Sequence, residues 1–208
     1  LCSRTEDLVD RSGDLDALFP RIDSMVERLP SCLLPNCARA DIMPSGKNRR
    51  HMVLTHPDGH SIVGQSSSEH IGRGGRRTCV IFDEAAAQEK LEPAWRSAAD
   101  TTACRIAVST HLTGSYFTRT IWENAVSLKE PKPILTTYVG HPLKSAGGEW
   151  RTDTDGTVTG EPARRYYWSP WFERQMARRD MVDMRENVLA LPSTAGKGFF
   201  PLANIVKC

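Results

Sequence analysis

Residues 78–86 form an apolar segment that ends in two adjacent carboxylates, and this feature constrains the fold more than any other. The segment reads Thr-Cys-Val-Ile-Phe-Asp-Glu-Ala-Ala, so Asp83 and Glu84 follow four apolar residues and precede small, helix-favouring ones. A short apolar run of this kind is typical of a strand buried in a parallel sheet. Open α/β sheets bind ligands at the carboxyl ends of their strands, so we expect Asp83 at such an edge.

Two carboxylates at that edge suit the hydrolysis of a nucleotide. Asp83 could hold Mg²⁺ through water, and Glu84 could orient the water that attacks the γ-phosphate of ATP. The alternative is an exposed acidic pair that caps the next helix.

The rest of the chain alternates strand-like and helix-like segments. The hydrophobic spacing predicts a helix over 18–29, capped by Asp14 or Asp16 and stopped by Pro30. Further predicted elements are a hairpin over 52–64, strands over 79–82, 104–110 and 133–139, and helices over 85–99 (bent or broken at Pro93), 117–128 and 169–191. Residues 140–165 are predicted to be a long loop or insertion, and Ser169-Pro170 to start the last helical region. This alternation indicates an α/β fold with a mostly parallel sheet flanked by helices.

The strand predicted over 104–110 ends in two hydroxyl residues, Ser109 and Thr110. A hydroxyl at the tip of this strand could sense the γ-phosphate of bound ATP and move when it is lost. The alternative is a Ser/Thr turn that caps the following helix.

A loop over 72–77 is rich in glycine and arginine, and its arginines Arg73 and Arg76 could contact transferred phosphate or DNA. It is not a phosphate-binding P-loop, because it lacks G-x-x-x-x-G-K-[ST] and precedes a strand instead of following one. The alternative is a flexible, solvated loop.

Composition narrows the remaining possibilities. The net charge of +2 neither demands nor excludes a nucleic-acid partner. The 6 cysteines contain no C-x-x-C pair, so we interpret most of them as reduced, buried or incidental thiols, as in a cytosolic protein. The sequence contains no run of 18 apolar residues, so it predicts no membrane-spanning helix.

A basic and aromatic region lies late in the chain. Its aromatic residues could contact a nucleic-acid backbone together with its arginines, or pack in a core while the arginines face water, and we favour the second. The residues concerned are Arg151, Arg164, Arg165, Tyr166, Tyr167, Trp168, Trp171, Arg174, Arg178 and Arg179.

Taken in order, these motifs resemble the large terminase subunit of tailed bacteriophages, the motor that packages DNA into proheads. The resemblance covers nearly the whole chain. It is carried by Ser3-Arg4 with Asp7-Leu8-Val9-Asp10, Leu29-Pro30, residues 58–64, Arg73-Gly74-Gly75-Arg76, Val80-Ile81-Phe82-Asp83-Glu84-Ala85-Ala86, Ser109-Thr110 with Gly114 and Phe117, and residues 169–175.

The resemblance implies a P-loop NTPase-like fold that lacks its first strand and P-loop, with a partial motor domain over 1–165 and a helical end over 166–208. It implies Asp83 as the Walker B acid for Mg²⁺, Glu84 as the catalytic carboxylate, Ser109 and Thr110 as the coupling motif, and Arg73 or Arg76 as the phosphate- or DNA-facing arginine. ATP, double-stranded DNA, the terminase small subunit, the portal protein and a homo-oligomeric ring in the host cytoplasm follow from the same resemblance.

The chain also departs from the family. It has no Walker A loop or adenine-contacting segment, which would lie upstream, and His111 stands where the coupling motif usually has proline. A non-catalytic relic or binding fragment and a helicase-like nucleic-acid ATPase are therefore kept as alternatives.

Overall fold

In a computed structural model, the described residues are 1–34, 37–68, 71 and 75–193. The chain packs into two units, Leu1–Ser109 and Thr110–Cys208. In the described part of the chain, no helix is long and apolar enough to cross a membrane. The 165/166 boundary predicted from the sequence lies inside a strand, Arg164–Trp168.

Seven short strands and four helices lie among the described residues of the first unit. In chain order they are β1 (Cys2–Ser3), α1 (Glu6–Val9), α2 (Leu18–Arg28), α3 (Arg39–Ile42), β2 (Arg49–Arg50), β3 (Val53–Thr55), β4 (Ser61–Val63), β5 (Gln65–Ser66), β6 (Val80–Phe82), α4 (Leu91–Thr101) and β7 (Arg105–Ala107). Single 3₁₀ turns occur at Ser31–Leu33 and Ala85–Ala87.

Four of these strands form a sheet with the order β5-β1-β6-β7, and each of the three pairings is parallel. In the β6–β7 pairing, Val80 lies opposite Arg105 and Phe82 lies opposite Ala107. The sequence-based prediction of a mixed α/β fold with a mostly parallel sheet is therefore confirmed. All four strands end at the same edge, which places the residue after each strand near its neighbours.

The predicted hairpin is also confirmed. Strands β3 and β4 pair antiparallel, with Val53 opposite Val63, and β2 extends this second sheet. Directly after β4, Gly64 passes so close to the core that a Cβ there would lie 2.4 Å from Val9 and 2.8 Å from Phe19. Only glycine fits this crossing between the two sheets.

The helix predicted over 18–29 is α2, but Ala17 precedes it without a side-chain cap. The predicted cap is wrong, because Asp14 instead accepts a hydrogen bond from the Asp16 N–H at 2.9 Å. Phe19 and Val26 of α2 pack in a buried cluster with Val9 and Leu54.

The helix predicted to follow Asp83-Glu84 starts later than expected. A 3₁₀ turn comes first, and α4 then spans Leu91–Thr101. Pro93 does not break α4, because it lies in the first turn, where a missing N–H costs no helical hydrogen bond.

The second unit starts with a π-helical turn, Phe117–Trp122, that continues into α5 (Glu123–Ser127). It then contains α6 (Pro142–Ser145), β8 (Glu149–Asp153), β9 (Arg164–Trp168), α7 (Pro170–Met176), α8 (Met181–Asp183) and a π-helical turn at Met184–Val188. As predicted, Ser169 caps α7, since its Oγ accepts a hydrogen bond from the Phe172 N–H at 3.1 Å.

Two predictions for this unit are wrong. Residues 133–139 form no strand; they are irregular up to a 3₁₀ turn at Tyr138–Gly140, and Ile134 is 80% exposed. Pro131 and Pro133 lack the N–H groups that a ladder needs. Conversely, the expected loop over 140–165 contains most of the β8–β9 hairpin.

The aromatic residues of the late basic region pack in the core of the second unit, as favoured from the sequence, although three of them lie on β9 and not on a helix. Tyr166, Tyr167, Trp168 and Trp171 pack against a buried cluster that includes Phe172. Several arginines of the region are ion-paired: Arg151 with Glu149, Arg164 with Glu161, and Arg179 with Asp183.

Candidate functional site

Asp83 directly follows β6 at the carboxyl edge of the parallel sheet, as the sequence predicted. Its backbone is fixed from two sides: its N–H donates to the Cys2 carbonyl at 2.7 Å, and its carbonyl accepts from Gln88 Nε2 at 2.7 Å. The half-buried Asp83 carboxylate accepts no hydrogen bond from the described residues.

Glu84 adopts a left-handed backbone conformation, with φ 48° and ψ 41°. For a residue with a Cβ this conformation costs roughly 1–2 kcal/mol, so the surrounding turn must hold it in place. The chain turns sharply at the end of β6, and the Glu84 side chain is exposed there. Such a strained residue at a sheet edge is a recurring feature of functional sites.

Arg4 faces Glu84 across this edge. It follows β1, the strand beside β6, and its Nε lies 3.6 Å from Glu84 Oε2, with both side chains about half exposed. An exposed ion pair of this kind contributes at most about 1 kcal/mol. It can therefore open without much loss when Glu84 takes another partner.

Ser109 ties the acidic turn to the neighbouring strand. Two residues after β7, its Oγ accepts a hydrogen bond from the Ala86 N–H at 2.9 Å. The Val108 carbonyl accepts from the Ala85 N–H at 3.1 Å. The turn that carries Asp83 and Glu84 is thus joined to the end of β7 by two hydrogen bonds.

Thr110 is exposed and starts the second unit. The segment after it is held by buried polar residues of that unit: Glu186 accepts from the Thr113 N–H at 2.9 Å and from the Thr113 hydroxyl. His111 is 5% exposed and contacts the Trp122 ring edge-on at 4.9 Å between centroids. Burial lowers the pKa of His111, although Glu186 opposes this.

The structure bears on one of the two predicted arginines, Arg76. Arg73 lies outside the described residues, and Arg76 is exposed at the amino end of β6. The Arg77 N–H next to it donates to the Thr101 carbonyl at 3.0 Å, which anchors this end of the loop. From residue 78 to Asp83 the extended chain spans roughly 16 Å, so Arg76 cannot reach the Asp83–Glu84 edge of its own chain.

The carboxylates suit Mg²⁺ in one respect. Magnesium keeps several waters and takes only one or two protein carboxylates together with phosphate oxygens, so Asp83 alone could supply the protein part of its shell. Among the described residues no group of three or more His, Cys, Asp or Glu side chains could hold a metal by itself.

A cavity of about 360 Å³ lies elsewhere in the first unit. It is lined by Leu1, Ile71 and residues 77–81 among others, and neither Asp83 nor Glu84 takes part.

Sequence reasoning gave no site role to Arg4 or Gln88. Arg4 follows a strand of only two residues, too short for a hydrophobic pattern to reveal. Gln88 is 5% exposed and stands in a run that the sequence predicts to be helical. In the sequence, Arg4 stood out only as part of Ser3-Arg4, one of the segments that carry the resemblance.

Comparisons with protein-family models, with curated proteins and with solved structures found no match to this chain. The fold and the edge define the class on their own: a mixed α/β protein with a mostly parallel four-strand sheet flanked by helices. At the carboxyl edge of this sheet stand two adjacent carboxylates.

Proposed function

We propose that this chain is part of the ATPase domain of a viral DNA-packaging motor of the terminase large-subunit type, which couples ATP hydrolysis to translocation of double-stranded DNA into a prohead. The observation that carries the proposal is the acidic turn at the carboxyl end of β6, hydrogen-bonded through Ala86 to Ser109 on the neighbouring strand. This hydrogen bond joins the carboxylate pair proposed for hydrolysis to the end of β7, where Ser109 is proposed to respond to the γ-phosphate.

In this proposal Asp83 binds Mg²⁺ through water, and Mg²⁺ would neutralise charge on the phosphates of ATP. Glu84 leaves its pair with Arg4 and orients the attacking water by accepting its hydrogen bond. The exposed carboxylate and its weak ion pair suit that exchange of partners.

Ser109 then acts as the link to movement. Its hydroxyl is half-buried and already engaged with the acidic turn, so loss of the γ-phosphate would change the turn and the end of β7 together. Thr110 begins the second unit, and the segment that follows it is anchored to Glu186.

A phosphate-binding loop must come from outside these residues, since G-x-x-x-x-G-K-[ST] does not occur in them. In the described part of the sheet β7 is an edge strand, which leaves its outer backbone groups open to pairing with a further strand. We therefore place the additional strand and its loop beside β7, next to Ser109 and the acidic turn.

The partners rest on the resemblance to terminases: double-stranded DNA, the small subunit, the portal protein and a homo-oligomeric ring in the host cytoplasm. Because Arg76 cannot reach the carboxylates of its own chain, its proposed role is toward a neighbouring copy in the ring or toward DNA. Either role needs an exposed side chain, and Arg76 is exposed.

A second candidate is a non-catalytic binding fragment, and the missing phosphate-binding loop favours it. The two are separated by measuring Mg²⁺-dependent ATP hydrolysis of the 208-residue chain and of a protein extended upstream, with and without duplex DNA. The motor proposal predicts hydrolysis by the extended protein alone and faster turnover with DNA. An extended protein that binds duplex DNA at low salt but hydrolyses no ATP would support the binding fragment instead.

A further inference from the structure

Two cysteines lie side by side at the amino edge of the parallel sheet, at the opposite end of the strands from the acidic turn. Cys79 directly precedes β6 and Cys104 directly precedes β7. Because Val80 pairs with Arg105, the two cysteines occupy facing positions one residue earlier. The Val80 N–H donates to the Cys104 carbonyl at 2.9 Å, which fixes the backbones at this point.

The two sulfur atoms are already close. Cys104 Sγ lies 3.2 Å from Cys79 Sγ and donates its hydrogen to it. A disulfide has a length of about 2.05 Å, so the sulfurs need to approach by roughly 1 Å. Neighbouring strands are about 4.8 Å apart, within the separation of about 4.4–6.8 Å between Cα atoms that a disulfide spans. Bond formation therefore requires side-chain rotation and little movement of the backbone.

The two thiols differ in exposure. Cys104 is exposed, whereas Cys79 is half-buried. Burial raises the pKa of the Cys79 thiol. We therefore expect Cys104 to attack an oxidant first, and Cys79 then to react with the oxidised sulfur of Cys104. Cys2 is different, because it is buried and burial raises its pKa to about 12.

We propose that Cys79 and Cys104 form a redox-sensitive dithiol that converts to an intramolecular disulfide on reaction with a peroxide. The Cys104 sulfur attacks the peroxide and the O–O bond breaks; one oxygen stays on sulfur as a sulfenic acid, and the other leaves as water with the thiol proton. The Cys79 sulfur then attacks the Cys104 sulfur. The S–S bond forms, the S–O bond breaks, and the second oxygen leaves as water with the Cys79 proton.

The bond would join the starts of the two strands that lead to Asp83 and Ser109. It closes the loop that contains α4, which restricts the unfolded chain and slows separation of β6 from β7. The modification is independent of the proposed ATPase function, since it needs only the facing thiols and an oxidant.

The test is peptide mapping after treatment of the folded 208-residue chain with one equivalent of hydrogen peroxide. Trypsin cleaves after Arg77, Lys90, Arg96 and Arg105, so Cys79 and Cys104 fall in separate peptides, residues 78–90 and 97–105. We expect a cross-linked pair of these peptides whose mass is lower by two hydrogens and which a thiol reductant separates. The cross-link should form at least tenfold faster in the folded chain than in urea.

Three variants complete the test. Cys79→Ser should abolish the cross-link and leave a sulfenic acid at Cys104 that dimedone traps, whereas Cys104→Ser should leave Cys79 as a thiol. Cys32→Ser removes an exposed thiol outside the pair and should leave the cross-link unchanged. Circular dichroism checks that each variant folds. Equal rates in folded and urea-unfolded chain, or oxidation of Cys104 in the wild type without linkage to Cys79, would overturn the proposal.

Discussion

Arg49 lies at the centre of a buried ion-pair network in the first unit. Replacing Arg49 gives the sharpest prediction for stability. From β2 its guanidinium donates two hydrogen bonds to Asp10, both at 3.0 Å, and two to Asp23 at 3.0 and 3.1 Å. The side chains of Arg49, Asp10 and Asp23 are 6%, 7% and 10% exposed. The guanidinium also stands 4.6 Å from the centroid of the Phe19 ring.

Arg49→Met keeps much of the apolar stem but leaves two buried carboxylates without their cation. Removing one partner of a buried ion pair costs about 3–5 kcal/mol, and we expect a loss of unfolding free energy in that range near neutral pH. Arg50→Met is the matched control, because Arg50 is the exposed neighbour on the same strand. It should change the unfolding free energy by less than about 0.5 kcal/mol.

The pH dependence gives an independent check. Burial alone favours the protonated form of Asp10, but the hydrogen bonds from Arg49 and the Met52 N–H outweigh it and lower the pKa of Asp10. Its contribution to stability is therefore present above the ordinary value of 3.8 and is lost as the pH falls through the lowered pKa. In Arg49→Met burial dominates and the pKa of Asp10 rises. The stability gap between wild type and variant should then narrow as the pH falls from 7 toward 4.

The assay is urea denaturation combined with hydrogen exchange of the β3 and β4 amides, which report on the unit that contains Arg49. We expect Arg49→Met to accelerate their exchange by roughly a hundredfold or more, since each 1.4 kcal/mol is a factor of ten. If Arg49→Met and Arg50→Met have equal effects, or if the difference in unfolding free energy between wild type and Arg49→Met widens at low pH, the network does not stabilise the unit.

Three further predictions concern single hydrogen bonds and one histidine. Ser169→Ala removes the cap of α7 and should lower the unfolding free energy by about 1–2 kcal/mol in thermal denaturation; an unchanged midpoint would contradict this. Ser109→Ala leaves the Ala86 N–H without its acceptor and should speed its hydrogen exchange about tenfold, whereas unchanged protection would show that the turn does not depend on this bond. His111 has a lowered pKa despite Glu186, so it favours the fold above its ordinary pKa of 6.5 and opposes it as protonation is forced at lower pH. In His111→Gln the unfolding free energy should therefore depend less on pH between 6.5 and about 4.5. An unaltered pH profile would refute that role.

The sequence predicted those elements whose physical signal is local. Four apolar residues before Asp83 revealed β6, a Pro-Asp-Gly turn revealed the β3–β4 hairpin, and Ser169-Pro170 revealed the start of α7. In each case the turn or cap chemistry agreed with the hydrophobic pattern beside it.

Elements fixed by long-range packing were not predictable in the same way. Strand β8 has the sequence Glu-Trp-Arg-Thr-Asp and four of its five residues are exposed, so no apolar pattern reveals it before its partner β9 is known. The apolar residues of 133–139 gave the opposite error, because their prolines and exposure do not suit a sheet. At the site, Arg4 approaches Glu84 only through the β1–β6 pairing, which joins residues about 80 positions apart.

The central claim is that Glu84 is the carboxylate that activates water for ATP hydrolysis. Its most direct test is the single-turnover rate of ATP hydrolysis by the upstream-extended protein carrying Glu84→Gln, beside Glu89→Gln, which changes another exposed carboxylate five residues away. We predict that Glu84→Gln lowers the hydrolysis rate at least a hundredfold, with Mg²⁺·ATP affinity within about threefold of wild type, and that Glu89→Gln has no effect. Hydrolysis at the wild-type rate by Glu84→Gln would contradict the assignment.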